Sequence, residues 1–146
     1  MTTTSGNESP SVHPAAEVGD VLPGFSTHVT RATLVHYAGA SADFNPIHWS
    51  DRAARDLGLP GVIAHGMLTM GTALRVVTDW CGDPARVLSY YVRFTKPVTV
   101  DDTDEGATVT FAGTIIKVAD GVATVSIEAL FNDTKVLGAA TAEVRL

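Results

Sequence analysis

A carboxylate and an imidazole lie five residues apart around a proline, at Asp43 and His48. On a continuous helix this spacing would direct the two side chains to different sides. The residue before Pro46 is pushed out of the helical region, so a turn can bring both groups to one point. Together they would form a minimal general acid/base pair. Taken alone, Asp-x-Asn-Pro is also typical of a simple capped turn, and this interpretation is preferred for the spacing by itself.

A second candidate site lies at Ala64-His65-Gly66-Met67, where a helix is predicted to begin. The first turn of a helix has free amides and a positive dipole end, which can stabilise an oxyanion. Gly66 would let a ligand approach closely. A structural histidine at the helix start, with its hydrogen bonds satisfied, is at least as good an interpretation of His65 as a catalytic one. Met67 is interpreted as a core residue.

Other chemistries find less support in the residue pattern. No spacing among His36, Asp43, His48 and His65 matches a strong metal-binding motif, so no metal is expected. The chain has no Gly-x-Ser-x-Gly motif, and Cys81 has no histidine near it in sequence. Nucleophilic catalysis is therefore poorly supported.

Helical periodicity and capping residues predict three helices around these candidate residues. The predicted bounds are Arg31 to about Ala42, Asp51 to Leu57, and His65 to about Trp80. The third is apolar on nearly all sides and is predicted to be buried. Asp51 and Arg55, four residues apart, are expected to pair on the second helix.

Strand patterns occupy most of the remaining chain. A short strand is predicted at Phe25–Val29, and period-two alternation predicts an antiparallel meander from Leu88 onwards. Asp120-Gly121 is a strong hairpin signal, and Asn132-Asp133 indicates a further turn. A buried helix against a curved sheet is an α+β architecture. An edge or face of that sheet is the place where a partner chain would bind.

Length and charge limit the class of protein. The 146 residues fit one domain at 17–146, preceded by a polar tail at 1–16 that is expected to be disordered. With a net charge of −6, the chain lacks the basic surface that is needed to bind nucleic acid or an anionic membrane. Cys81 is the single cysteine, so no intrachain disulfide is possible. No signal peptide or membrane span is recognised, and a cytoplasmic location is expected.

A long motif supports the acid/base interpretation of Asp43 and His48 more strongly than their spacing alone does. YAGASADFNPIH at Tyr37–His48, followed by IAHGMLTMG at Ile63–Gly71, resembles the hydratase-2 motif of MaoC-like hot-dog hydratases and dehydratases. The resemblance extends through Gly82-Asp-Pro and Tyr91-Val-Arg-Phe-Thr to most of the chain after Val18. Within the family, the chain most resembles the HadB-type catalytic subunit of the actinobacterial fatty-acid-elongation dehydratase.

The resemblance implies a single hot-dog fold, in which a curved antiparallel sheet wraps a long central helix. Asp43 and His48 match the family's catalytic residues, and Asn45 matches the motif asparagine that helps to set the loop. Gly66, followed by Met67, would offer a backbone amide to a thioester oxygen, and His65 would shape the site. The segment 44–60 would cover it. One departure stands out, because the family often has glycine where this chain has Ala42.

The implied reaction is the reversible dehydration of (3R)-hydroxyacyl thioesters to trans-2-enoyl thioesters in fatty-acid metabolism, without a cofactor. The substrate would be carried on coenzyme A or acyl carrier protein. The active unit would be a homodimer, or a heterodimer with a sister hot-dog subunit. Three alternatives stay open: a non-catalytic acyl-thioester-binding subunit, a hot-dog thioesterase and, more distantly, a metal-dependent lyase.

Overall fold

The structure is a computed structural model that describes residues 15–146, so most of the tail predicted at 1–16 lies outside the described residues. The helices are α1 (Arg31–Ser41), α2 (Asp51–Asp56) and α3 (Gly66–Cys81), with 3₁₀ turns at Pro46–His48 and Pro84–Arg86. The strands are β1 (Val21–Val29), β2 (Val87–Phe94), β3 (Ala107–Ala119), β4 (Val122–Phe131), β5 (Thr134–Lys135) and β6 (Leu137–Arg145). The predicted α+β class is confirmed.

One antiparallel sheet contains all six strands, in the order β1-β3-β4-β6-β2, with the short β5 paired to β4. Asp120 and Gly121 have φ values of 52° and 74°, and Asn132 and Asp133 have 48° and 57°. Positive φ at two successive residues matches the hairpin twist, as the sequence predicts for both turns. The two ends of the sheet are formed by β1 and β2.

Strand β1 begins four residues earlier than the sequence predicts. Pro23-Gly24 lies inside the strand, where the pairing register with β3 shifts between Leu22 and Phe25. Proline is tolerated on an edge strand because its missing amide is not needed there. A Cβ at Gly24 would lie 2.6 Å from the Phe111 carbonyl oxygen, so the irregular pairing requires glycine.

Helix α3 packs across the sheet through one stripe rather than on nearly all sides. Its buried residues are Thr69, Ala73, Val76, Val77 and Cys81. Gly113 of β3 allows close approach, because a Cβ there would lie 2.7 Å from Val76 Cγ1. The prediction of an almost completely buried helix was wrong, since this chain's sheet covers one face and Met67 is 58% exposed. Within residues 15–146, none of the helices has the length and apolar character needed to cross a membrane.

Candidate active site

The segment that carries Asp43 starts where α1 ends. Thr30 caps the helix with a reciprocal hydrogen-bond pair to Thr33, and the helix ends in the left-handed conformation at Ala42, with φ of 58°. That φ turns the chain sharply, so Asp43 leaves the helix axis. The position is one that glycine occupies without strain, whereas alanine pays a steric cost there. Alanine at this position is therefore strained.

A series of side-chain caps folds the next five residues. The Asn45 amide donates to Asp43 Oδ1 at 3.2 Å, and the Ile47 amide donates to Asn45 Oδ1 at 3.2 Å. Pro46 then starts the 3₁₀ turn that ends at His48. Asp43 thus caps the turn, as the simple structural interpretation holds, and it also lines a cavity. The two interpretations are compatible, because Oδ1 accepts the capping hydrogen bond and Oδ2 is left for the acid/base role.

His48 is held in one orientation by the facing segment. Its Nδ1 donates to the Ile63 carbonyl oxygen at 2.7 Å, and the Ile63 amide donates back to the Ile47 carbonyl at 3.1 Å. A neutral ring that donates from Nδ1 carries its lone pair on Nε2. That Nε2 lies 3.8 Å from Asp43 Oδ2, with the side chain of His48 8% exposed and that of Asp43 50% exposed. The structure therefore brings the predicted pair together.

His65 lies behind this pair and contacts both of its members. It is 1% exposed, and its ring stacks on that of His48 with centroids 3.7 Å apart. Its Nε2 donates to the Asp43 carbonyl oxygen at 3.1 Å, while Nδ1 is buried without a hydrogen-bond partner among the described residues. Burial lowers the pKa of His65, more than the hydrogen bond to Asp43 raises it. The ring is consequently neutral near pH 7.

The first turn of α3 begins beside these rings. His65 is its N-cap residue and makes no side-chain hydrogen bond to the turn, so the opening amides have no side-chain cap. Gly66 and Met67 both line the same cavity as Asp43 and His48. A Cβ on Gly66 would lie 3.1 Å from two carbons of the Phe94 ring. The glycine therefore makes room for that ring beside the helix start.

One cavity of about 470 Å³ collects these groups. Its lining is Asp43, Ile47, His48, Ile63, Ala64, His65, Gly66, Met67, Thr69, Phe94, Thr95, Lys96, Pro97, Val98, Val136 and Leu137. Of these described residues, Lys96 alone carries a full positive charge. The mostly apolar wall suits an organic chain next to a few converging polar groups.

Sequence reasoning missed the wall formed by the end of β2 and the start of β6. Phe94 to Val98, with Val136 and Leu137, line the cavity. They reach it because β2 and β6 pair, with Phe94 opposite Leu137. Period-two alternation assigned Phe94 to a strand face, but no local signal shows which helix start that face meets.

The start of the second helix is anchored by a contact that the sequence did not predict. Arg31 donates to both oxygens of Asp51, at 2.9 and 3.1 Å, and also to the Val100 carbonyl. The expected pairing of Asp51 with Arg55 is thus replaced by a longer-range one. The pKa of Asp51 is lowered most by the hydrogen bond from the Val62 amide, and next by the hydrogen bond from Arg31. In contrast, Arg75 and Asp79, four residues apart on α3, do form an ion pair, at 3.2 Å.

Three side chains have the chemistry of metal ligands, since atoms of Asp43, His48 and His65 lie within 4.8 Å of one another. An ion binds imidazole along the nitrogen lone pair, in the plane of the ring. The rings of His48 and His65 are stacked at an interplanar angle of 22°, so one ion cannot lie in both planes. His48 Nδ1 and His65 Nε2 are also engaged with carbonyl oxygens. The arrangement favours proton transfer over metal binding.

Comparison with known proteins places this geometry in a family. The profile described as "MaoC like domain" matches residues 16–130. The chain is 40% identical over 81 residues to 3-hydroxyacyl-thioester dehydratase X of Mycobacterium tuberculosis, covering 56% of this chain and 28% of that protein. It is 32% identical over 110 residues to the 3-oxo-4,17-pregnadiene-20-carboxyl-CoA hydratase beta subunit of the same organism, covering 75% of this chain and 81% of that protein.

Solved structures support the same grouping. A MaoC-like dehydratase superposes with a TM-score of 0.87 and 42% identity, covering 90% of this chain and 41% of the other. This chain therefore spans less than half the length of that structure and of the first relative above. The predicted hot-dog fold is confirmed by this neighbour. Since the family profile covers most of its length, the chain belongs to the MaoC-like dehydratase family.

Proposed function

We propose that this chain catalyses the reversible dehydration of (3R)-hydroxyacyl thioesters to trans-2-enoyl thioesters, with Asp43 and His48 as the acid/base pair. The observation that carries the proposal is the 3.8 Å approach of Asp43 Oδ2 to His48 Nε2, in a cavity that Gly66 also lines. The names of the two relatives, a hydroxyacyl-thioester dehydratase and an acyl-CoA hydratase subunit, support this substrate class.

The reaction requires negative charge to be stabilised on the thioester oxygen and protons to move at C2 and at the C3 oxygen. The uncapped start of α3 supplies free amides and a positive dipole end. The Gly66 amide is the proposed donor to the thioester oxygen, and the Met67 amide is the second candidate. In the hydration direction, both members of the pair hold one water. His48 Nε2 accepts a water proton as the oxygen bonds to C3.

The proton that His48 takes from water is delivered to C2, and the second water proton stays on the new C3 hydroxyl, so the elements of water are added and the pair is unchanged over the cycle. Asp43 is the partner that orients His48 and hands on the proton. Asn45 supports this arrangement, because its amide and side chain fix the turn between the two residues. His48 can act as the main base because Nδ1–H is already donated to Ile63, which leaves Nε2 as the lone-pair nitrogen.

The active unit is proposed to be a dimer, of two like chains or of this chain with a sister hot-dog subunit. Strand β2 forms one end of the sheet, and it exposes three large apolar side chains: Leu88, Tyr91 and Phe94. An unpaired strand edge with apolar side chains is a surface that another chain can extend. One relative is named as a beta subunit, which supports a two-chain assembly.

The proposal is tested by following the absorbance of the conjugated enoyl thioester as water is added. Substrates of graded acyl length, each on coenzyme A and on acyl carrier protein, identify the chain length and the carrier. The protein is assayed alone and with candidate sister subunits. Loss of conjugation with the thioester intact supports the hydratase.

Two outcomes of the same assay would overturn it. Release of free thiol from saturated acyl thioesters would identify a thioesterase. Tight acyl-thioester binding without turnover, alone and with every sister subunit, would identify a binding subunit.

A further inference from the structure

We infer that His65 is a neutral positioning residue that aligns the acid/base pair with the start of α3. This inference rests on the proposed function and adds to it a residue that touches no reacting atom. It is carried by the contacts of one buried ring with Asp43 and His48, and by the position of that ring on the N-cap residue of α3.

Asp43 needs a contact of this kind because its own segment holds it weakly. The six residues from Ala40 to Asn45 are all exposed, and Ala42 has a φ of 58°. The hydrogen bonds of Asp43 with Ser41 and Asn45 lie within the segment, each between residues two positions apart. Among the described residues, the bond from His65 Nε2 is the hydrogen bond that reaches Asp43 from a distant part of the chain, 22 residues away.

His48 depends on the same ring for its orientation. The hydrogen bond from Nδ1 to Ile63 fixes one point of the His48 ring but leaves rotation about that bond. Stacking on His65, with centroids 3.7 Å apart and planes at 22°, removes this freedom. The Tyr37 ring packs edge-on against the other part of His65, at 4.8 Å, so His65 cannot tilt away. Nε2 of His48 is thereby kept pointing towards Asp43.

The charge state of His65 suits this role. Its Nδ1 is buried without a partner among the described residues, and burial is the largest cause of its lowered pKa. A neutral ring can stack on His48 while His48 gains a proton, whereas a cationic ring would repel the proton that His48 must accept. The titratable groups that face His65 are Asp43, His48 and Tyr37.

A pair of variants separates the ring from its hydrogen bond. His65→Phe keeps a stacked, buried ring and removes the donor to Asp43. His65→Gln removes the ring and keeps an N–H donor at the reach of Nε2. We expect kcat of the Phe variant to fall by about a hundredfold with KM little changed, since misplacing a catalytic group by about 1 Å costs that much. The Gln variant, which keeps the donor to Asp43 but loses the stacking on His48, should also lower kcat. His36→Gln, at an exposed position on α1, is the matched control and should match the wild type.

Wild-type kcat in His65→Phe would overturn the inference, as would a change confined to KM. Wild-type kcat in His65→Gln would overturn the role of the stacked ring. Nitrogen NMR of the histidine rings in the wild-type protein provides a readout that needs no substrate. We expect His65 to be protonated at Nε2 and bare at Nδ1 at neutral pH, and a cationic ring or the opposite tautomer would reject the inference. Because this readout needs no turnover, it tests the hydrogen bond and the neutral state of His65 even if the hydratase assay fails.

Discussion

The carboxylate of Asp43 and the Nε2 of His48 face each other at 3.8 Å, with no direct hydrogen bond between them. Hydrogen bonds between nitrogen and oxygen are about 2.7–3.2 Å long, so this gap is too wide for one. It is, however, narrow enough for a single oxygen atom to lie within hydrogen-bond distance of both groups. This spacing supports the proposed reaction, in which one water oxygen is added or removed.

Removing either member of the pair should nearly abolish turnover. We expect Asp43→Asn and His48→Ala each to lower kcat for enoyl-thioester hydration by about a hundredfold or more, because each removes an acid/base group. Asparagine still accepts the hydrogen bond from the Asn45 amide, so that variant keeps the turn. Asp79→Asn, the same change in an exposed pair on α3, should leave turnover unaffected. Near-normal kcat in a folded Asp43→Asn or His48→Ala protein would reject the assignment.

Replacing Ala42 with glycine should stabilise the protein. Ala42 has a φ of 58°, a conformation that costs alanine about 1 kcal/mol relative to glycine. We expect the free energy of unfolding, measured with urea, to rise by about that amount. Ala40→Gly, two residues earlier inside α1, should instead lower it by about 0.5–1 kcal/mol. Equal effects of the two substitutions would show that the strain at Ala42 is absent.

Asp51 should make stability depend on pH in the acid range. Its pKa is lowered from 3.8 by the Val62 amide and by Arg31, so the unfolded chain takes up a proton at higher pH than the folded one. The stabilisation is therefore fully present above the unfolded pKa and is lost as pH falls through the folded value. Between about pH 6 and pH 3, we expect the free energy of unfolding to fall less for the Asp51→Asn protein than for the wild type. Denaturant unfolding at each pH measures this. Parallel pH curves for the two proteins would contradict this.

Enlarging Gly66 should displace the Phe94 ring. A Cβ there would lie 3.1 Å from two ring carbons, so the exposed ring must shift by a few tenths of an ångström to admit it. We expect Gly66→Ala to lower hydratase kcat, because the ring and the helix start must move apart, and to be less favourable to stability than in a protein that lacks the ring. In a Phe94→Ala background the same substitution should cost little stability. A double-mutant cycle from urea unfolding measures the difference, and additive effects would exclude the contact.

Much of the fold follows from local rules that act over a few residues. Thr30 and Ser50 cap the predicted helices that follow them in the chain, and both hairpin turns adopt positive φ at the expected residues. The predicted bounds fail where pairing overrides local preference. Pro23-Gly24 is drawn into β1 because the edge of the sheet tolerates a bulge there. The buried helix is covered on one face, because a polarity pattern cannot reveal how far one chain's sheet extends.

By itself, the sequence determined the chemistry available and the turn that carries it. Asp43, Asn45, Pro46 and His48 form a local unit whose caps span two or three residues, so their types and spacing suffice to predict it. Tertiary structure alone decided what lies around that unit. His65 stacks on His48 across 17 positions of chain, and Arg31 rather than Arg55 binds Asp51. Phe94 reaches Gly66 through the pairing of β2 with β6. These contacts join segments that are distant in sequence, and their geometry is set by packing of the whole chain, which no local pattern encodes.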